Sequence, residues 1–291
     1  MAITAELVKE LRQRTNAGLM DCKAALQETN GDIEAAIVAL RKKGQLKAEK
    51  KAGRITTEGL IFIKVSADKH KAIMLEILCE TDFVAREKNF INFGEQLAQH
   101  ALDNEISNAE DLSASQLGDH TVAEVRQALV TKKGENIQLR RIHLIKTEGE
   151  IASYMHGGRI GVLLEYHGDD ENLAKDLTMH VAANAPLVVN AEDVSETVIA
   201  KEQEIFKAQA EASGKPAAII EKMISGRIQK FINEVSLMGQ PFVKDPNTSV
   251  AKLVQQKNMT VKSFTRYAVG EGIEKKVENF AAEVMSQVKD N

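Results

Sequence analysis

The chain has 291 residues, 43% hydrophobic and 27% charged, which is enough for two or three domains with buried cores. A net charge of −4 supplies no global field for nucleic acid, and aromatics at 4% with no Trp leave few stacking platforms for single strands. No apolar run approaches the ~20 residues of a membrane span, and the start, MAITAELVKEL, lacks the regions of a secretion signal, so a cytoplasmic protein is expected.

Residues 1–44 read as a compact three-helix unit. Thr4 caps a first helix carrying Leu7, Val8 and Leu11, and TNAG breaks it. A second helix, LMDCKAALQE, stops at Asn30-Gly31. Asp32 caps a third, in which Ile33, Ala36, Ile37 and Leu40 keep helical spacing up to Gly44. About 40 residues is a marginal independent fold, so this unit is expected to have a partner surface. Residues 45–55, from the basic stretch RKKGQLKAEKKAGR, read as a linker whose charges are solvated. Cys22 and Cys79 lie far apart within apolar patterns, as buried free thiols of a reducing compartment would.

The main body alternates strand and helix signals and repeats itself. AIMLEI (72–77) resembles GVLLEY (161–166), each a strand with Glu at one phase, and Leu97, His100 and Asn104 return as Leu177, His180 and Asn184. Two related β-β-α halves with antiparallel hairpins are therefore predicted, one over 56–147 and one over 148–270. The halves differ in spacing: 97 − 76 = 21 positions separate Glu76 from Leu97, but 177 − 165 = 12 separate Glu165 from Leu177. The extra residues of the first half include TDFVARE, where Phe83 falls in a turn that chain-reversal chemistry would give to Gly, Asn, Pro or Ser. An extension on a rigid scaffold is where function tends to lie.

Within the second half, 192–236 reads as an αα-hairpin inserted into the sheet. Val194, Val198, Ile205 and Phe206 face Ile220, Met223, Ile224, Ile228 and Phe231, with the turn at Ser213-Gly214-Lys215-Pro216. The two stripes can satisfy each other or pair with another copy, so a homodimer stays open. VKSFTRYAVG (261–270) is a further strand, and 271–291 a closing amphipathic helix. Catalytic patterns are not found. HGGRIG (156–161) lacks the P-loop lysine and the dinucleotide fingerprint, no pair of the seven His has metal-ligand spacing, and no nucleophile elbow is present. A protein that is not an enzyme, with no cofactor and no metal of its own, is expected.

The blocks LVKELRQRTNAGLMDCKAALQETNGDIEAAIVALRKKG, TDFVAR, MHVAA and EVSLMGQPFVKD together resemble the bacterial elongation factor Ts family, in order and over essentially the whole chain. The resemblance implies an α+β protein: an N-terminal three-helix bundle of the ubiquitin-associated type, a duplicated core of antiparallel sheets with helices, an antiparallel coiled-coil hairpin and a C-terminal helix. It implies a translation factor that binds elongation factor Tu, GDP-bound and nucleotide-free, and promotes exchange of GDP for GTP, with a heterotetramer as one possible assembly. Thr81, Asp82, Phe83 and Val84 would dislocate the Mg²⁺ of the partner. Arg12, Leu19 and Met20 would touch the partner's nucleotide domain, and His156 would lie near the interface; Leu19 replaces a Met common in relatives. Direct nucleic-acid or membrane contact is not implied. Two rival readings are a translation protein that binds RNA through its basic linker, and a structural adaptor without effect on nucleotide.

Overall fold

The computed structural model describes residues 3–15, 17–211 and 216–274. The expected C-terminal helix of 271–291 falls outside them beyond Glu274, as do Ser213, Gly214 and Lys215 of the hairpin turn.

The chain begins with α1 (Ala5–Thr15), α2 (Leu19–Glu28) and α3 (Ile33–Ala52). Leu7 N–H donates to Thr4 Oγ1 at 3.3 Å, and Ala35 N–H donates to the Asp32 carboxylate at 3.0 Å, so both caps satisfy helix-end donors. Asn30 and Gly31 both take positive φ between α2 and α3. Val8, Leu11, Cys22, Ala25, Leu26 and Ala36 close a core of their own.

One expectation is corrected here: α3 does not end at Gly44 but continues to Ala52, so residues 45–52 are helix rather than linker. Glycine costs a helix roughly 1 kcal/mol relative to Ala. Here the following Gln45, Leu46, Lys47 and Ala48 are good helix formers, and Ala48 is buried in the core of the main body. That packing carries the helix past its breaker.

Next come β1 (Glu58–Val65), β2 (Lys71–Cys79), α4 (Asp82–Ala85) and α5 (Lys88–Asp103). They are followed by α6 (Ala109–Ala114), β3 (Gln116–Leu117), β4 (His120–Thr121), α7 (Val122–Lys133) and β5 (Ile137–Lys146). The second half holds β6 (Glu150–His156), β7 (Ile160–His167), α8 (Glu171–Asn184), α9 (Glu196–Glu211) and α10 (Ala217–Val235). It ends with β8 (Pro241–Phe242), β9 (Asp245–Ser249), α11 (Val250–Gln256) and β10 (Thr260–Ala268).

Two three-stranded antiparallel sheets carry the body, in the orders β1-β2-β5 and β6-β7-β10. Each has its second strand in the centre, followed by a helix that packs on the sheet: α5 on β1 and β2, α8 on β6 and β7. The central strands are buried on both faces, so their side chains divide between two cores. Ile73, Leu75, Ile77 and Cys79 point to the α5 side, whereas Ala72 and Met74 meet Ile61, Ile151 and Leu163 between the sheets. Val162, Leu164 and Tyr166 turn to the α8 side. Helices thus cover the outer faces and the two sheets cover each other. At Gly161 a Cβ would lie 2.6 Å from Ile61 Cγ2 and 2.9 Å from Met74 Sδ, so the close approach of the sheets requires glycine there.

Glu76 and Glu165 share the phase that faces this layer. Glu76, fully buried, receives Arg140 Nη1 at 3.1 and 3.2 Å, Arg141 Nε at 2.5 Å and Gly270 N–H at 2.8 Å. Glu165 receives Thr147 Oγ1 at 2.5 Å, Ser263 Oγ at 2.9 Å and Lys262 Nζ at 2.9 Å. The repeated histidines are structural. Val243 N–H donates to His180 Nδ1, which leaves the proton on Nε2 to donate to Gln240 Oε1 at 2.7 Å. His100 Nε2 lies 2.9 Å from Ser115 Oγ.

In the helical hairpin α9 packs along α10. Ile220, Met223, Ile224, Ile228 and Phe231 are half-buried, as their stripe predicts, and so are Val198 and Phe206. Ile205 is the exception: it is exposed, and Ala210 is buried instead. The packed face of α9 therefore runs through Val198, Phe206 and Ala210 and leaves Ile205 at its edge.

On α5 the buried positions Phe90, Phe93, Gly94, Leu97, Ala98, Ala101 and Leu102 form one stripe. A Cβ at Gly94 would lie 2.1 Å from the ring of Phe62, itself buried and tilted against Phe90. Helix propensity alone says that Gly94→Ala should stabilise by roughly 1 kcal/mol. Overpacking against this buried ring costs about 1–3 kcal/mol and should win. Urea unfolding of Gly94→Ala should show a net loss; a gain would mean that the helix–sheet contact yields.

Candidate partner-binding surface

At the end of β2 the chain leaves the sheet at Cys79 and turns at once into α4. The residues expected in a loop are thus a single helical turn, and its sidedness sorts them. Val84 and Ala85, at 5% and 3% exposure, are part of the core under α5. Asp82 and Phe83 face outward. Phe83 is 79% exposed, well above Leu19 at 54%. Val84, expected to act with Thr81, Asp82 and Phe83 on a partner, has its side chain in that core, where it holds the turn down.

A four-residue helix has no stability of its own, since nucleation is unfavourable and no ladder follows it. Its position comes from its surroundings. Thr81 is the N-cap, accepting from Val84 N–H at 3.5 Å. Thr81 N–H and Oγ–H donate in turn to the two oxygens of Glu135, at 2.9 and 2.6 Å. Glu80 accepts Asn136 N–H at 2.6 Å, and Lys133 pairs with Glu87 at the far end. The Cys79 thiol donates to Thr81 O at 3.1 Å. Burial, with the Glu135 charge adding to it, pushes that thiol up to about 12, so it stays protonated and inert at neutral pH. Both cysteines are buried and free, as expected.

Asp82 pairs with Arg86, at 2.8 Å across one helical turn, and both side chains are substantially solvated. Such a pair is worth at most about 1 kcal/mol, so either charge can turn to another partner at little cost. Beside the turn runs a shallow cleft lined by Glu58, Thr81, Asp82, Phe83, Arg86 and Arg159. Arg159 Nη1 binds Glu58 at 2.6 Å, and its backbone N–H donates to His156 O at 3.0 Å. The structure therefore brings the Arg159 side chain of the β6–β7 turn to the cleft beside α4, while His156 begins the same turn. The His156 ring is exposed and lies against Tyr154, whose hydroxyl is 3.0 Å from Nδ1.

Arg12, Leu19 and Met20 form no part of this cleft. They are exposed on α1 and α2, with Leu19 and Met20 at the first turn of α2. Sequence reading missed Glu58, Glu135, Asn136 and Arg159. Glu135 is separated from Thr81 by 54 positions, and nothing local marks it. Among the described residues no group of three His, Cys, Asp or Glu could hold a metal ion, and no helix is long and apolar enough to cross a membrane.

A family model described as elongation factor TS matches residues 80–271. The chain is 56% identical over 288 residues to elongation factor Ts of Legionella pneumophila strain Paris, which covers 99% of both chains. It is 52% identical over 291 residues to elongation factor Ts of Thioalkalivibrio sulfidiphilus, again with 99% of both covered.

Two outcomes separate the outward from the inward residues of α4. Phe83→Ala should change stability by no more than about 0.5 kcal/mol, as exposed substitutions do. Val84→Ala removes two buried methyl groups and should cost about 2 kcal/mol, read as a shifted denaturation midpoint. The Cys79 thiol adds a pH test. A raised folded-state value means stability that is fully present below the unfolded thiol's pKa of about 8.5 and lost as pH rises toward the folded value. The stability difference between wild type and Cys79→Ala should therefore narrow between about pH 9 and pH 12; a constant difference would mean that burial does not hold the proton.

Proposed function

The chain belongs to the elongation factor Ts family of translation factors, and from that premise we propose that it binds elongation factor Tu·GDP and drives GDP release by wedging Phe83 beside the partner's Mg²⁺ and phosphates. The observation that carries this reading is a large aromatic side chain, four-fifths exposed, on a helical turn that is braced from behind. A solvated Phe gains about 1.5–3 kcal/mol on burial, one to two decades of equilibrium constant, so a partner pocket that accepts it can be deformed by that much.

A GTPase holds GDP through backbone amides and a Lys, with Mg²⁺ bridging phosphate and protein oxygens. Mg²⁺ tolerates little departure from octahedral geometry, so small displacements of its ligands weaken it. Asp82, paired with a solvated arginine, supplies the charge that disturbs those ligands. Thr81 acts through the backbone direction it sets, and Val84 by holding the turn down. Arg12, Leu19 and Met20 on the N-terminal unit, and His156 at the start of the β6–β7 turn, supply binding energy over a wider surface, since one side chain cannot provide all of it.

Linkage fixes the thermodynamics: a factor that lowers the partner's affinity for GDP is bound less tightly by the GDP-loaded form, by the same ratio. Cellular nucleotide concentrations then set the direction of exchange, and the factor makes or breaks no covalent bond. The reading places the protein in the cytoplasm. The RNA-binding rival draws on the basic stretch, but Arg41 is paired with Glu124 and Arg54 with Glu80. The adaptor rival leaves the exposure of Phe83 without a use.

Stopped-flow release of a fluorescent GDP from elongation factor Tu tests the proposal. Phe83→Ala should slow accelerated release by about one to two decades while the melting temperature holds. Asp82→Ala should slow it less, and excess Mg²⁺ should slow wild type and both variants. Wild-type release rates from Phe83→Ala would sink the wedge reading.

A further inference from the structure

We propose that Glu135 is the positioning residue of the wedge: by holding both donors of Thr81 it fixes the direction in which α4 presents Phe83. This rests on the reading of Phe83 as the exchange wedge.

Three observations converge on it. First, α4 is too short to hold its own axis, and Phe83, as its most exposed residue, contributes nothing to holding it. Second, the half-buried Glu135 carboxylate engages Thr81 with both oxygens, one on the backbone N–H and one on Oγ, so the peptide plane and the capping side chain are fixed together. Hydrogen bonds to an ionised acceptor are short and strong, and two from one residue remove the rotation that a single one would leave. Third, the same turn holds the flanks: Asn136 N–H binds Glu80 on one side, and Lys133 pairs with Glu87 on the other. The segment 133–136 thus grips the chain before, at and after the wedge while touching neither Asp82 nor Phe83 through these bonds.

The turn has a second connection. Asn136 Nδ2 donates to Ala52 O at 3.2 Å and to Arg54 O at 3.0 Å, where α3 ends. The helix that begins in the N-terminal unit is therefore tied to the residue next to Glu135. A partner that grips the N-terminal unit pulls on the mount of the wedge through backbone acceptors rather than through a free linker.

The predicted signature is a split between rate and affinity. Fluorescent GDP release from elongation factor Tu would be titrated with full-length Glu135→Ala, Glu135→Gln, Thr81→Val, Phe83→Ala and the double variant Phe83→Ala/Glu135→Ala. Rates are expressed per folded molecule, and affinity for the nucleotide-free partner is read by calorimetry. Glu135→Ala should lower the maximal release rate roughly tenfold or more, as misplacement of a working group by about an ångström does. Its nucleotide-free affinity should stay within about threefold of wild type. Glu135→Gln keeps an acceptor oxygen for Thr81 N–H, and its amide NH₂ can donate to Thr81 Oγ, so both links persist and most of the rate should be recovered. Thr81→Val keeps the N–H and loses the hydroxyl, so it should be intermediate and decides the matter if Glu135→Ala does not fold. The double variant should be no slower than Phe83→Ala, since both changes remove one action.

A wild-type maximal rate in Glu135→Ala or in Thr81→Val overturns the positioning role, as does a Glu135 effect that adds in full to that of Phe83. If Phe83→Ala is slow while Glu135→Ala is not, only the positioning role fails. If Phe83→Ala itself releases GDP at the wild-type rate, the wedge reading falls instead.

Discussion

The body of the protein depends on a carboxylate placed where water cannot reach it. Glu76 stands on a central strand at the layer where the two sheets meet. Leaving such a charge unpaired would cost several kcal/mol. The chain meets the demand with neighbouring arginines from β5 and with a backbone N–H from beyond β10. Both arginines also bind outward: Arg141 donates to Ala268 O and lies 4.1 Å over the Tyr267 ring, while Arg140 donates to Glu271 O. Satisfying one buried charge therefore ties the end of the second sheet to the centre of the first. An apolar residue at position 76 could fill the layer, but it would not specify which backbone segment lies against it.

The second half solves the equivalent problem differently. Glu165, at the same phase, uses the hydroxyl of Thr147 from the junction between β5 and β6, and the Ser263 hydroxyl and solvated Lys262 ammonium from β10. Burial works to raise its pKa, but the hydrogen bonds of Thr147, Lys262 and Ser263 outweigh that and hold it below the usual range. The duplication is thus symmetric in topology, whereas the two glutamates take different donors: two arginines and a backbone N–H for Glu76, two hydroxyls and a lysine for Glu165. The added segment between central strand and helix occurs in the first half, and it is there that Phe83 is presented.

The surroundings of α4 show how an exposed aromatic residue can be held in place. Two of its four residues are buried, its cap is held by a carboxylate, and charge pairs flank it. The exposed pair, Asp82 and Phe83, is left with one solvated ionic contact. For the proposed wedge, a side chain that enters another protein must be free of its own, yet the backbone beneath it must not be. The burial of Val84 and the exposure of Phe83 are two parts of that arrangement.

The sequence by itself determined the local elements whose cause is local. Thr4 and Asp32 announced helix starts through side-chain chemistry, Asn30-Gly31 announced a turn, and the two matching apolar strands with Glu at one phase announced the duplication. The TVAE capping box of α7 is equally legible, with Thr121 and Glu124 exchanging bonds across the first turn. Phe83 and Asp82 could be singled out because a large apolar side chain in a turn has no local explanation. Tertiary structure decided the rest. It carried α3 past Gly44, because burying Ala48 against the body outweighs a propensity penalty of roughly 1 kcal/mol. It turned the TDFV stretch into a helix and Val84 inward, because a single turn takes its conformation from what it packs on. It brought Glu135 to Thr81 and Glu76 to Gly270, contacts across 54 and 194 positions. Pairings over such distances follow from how the sheets stack and where buried charges find donors, and no period or spacing in the chain encodes them.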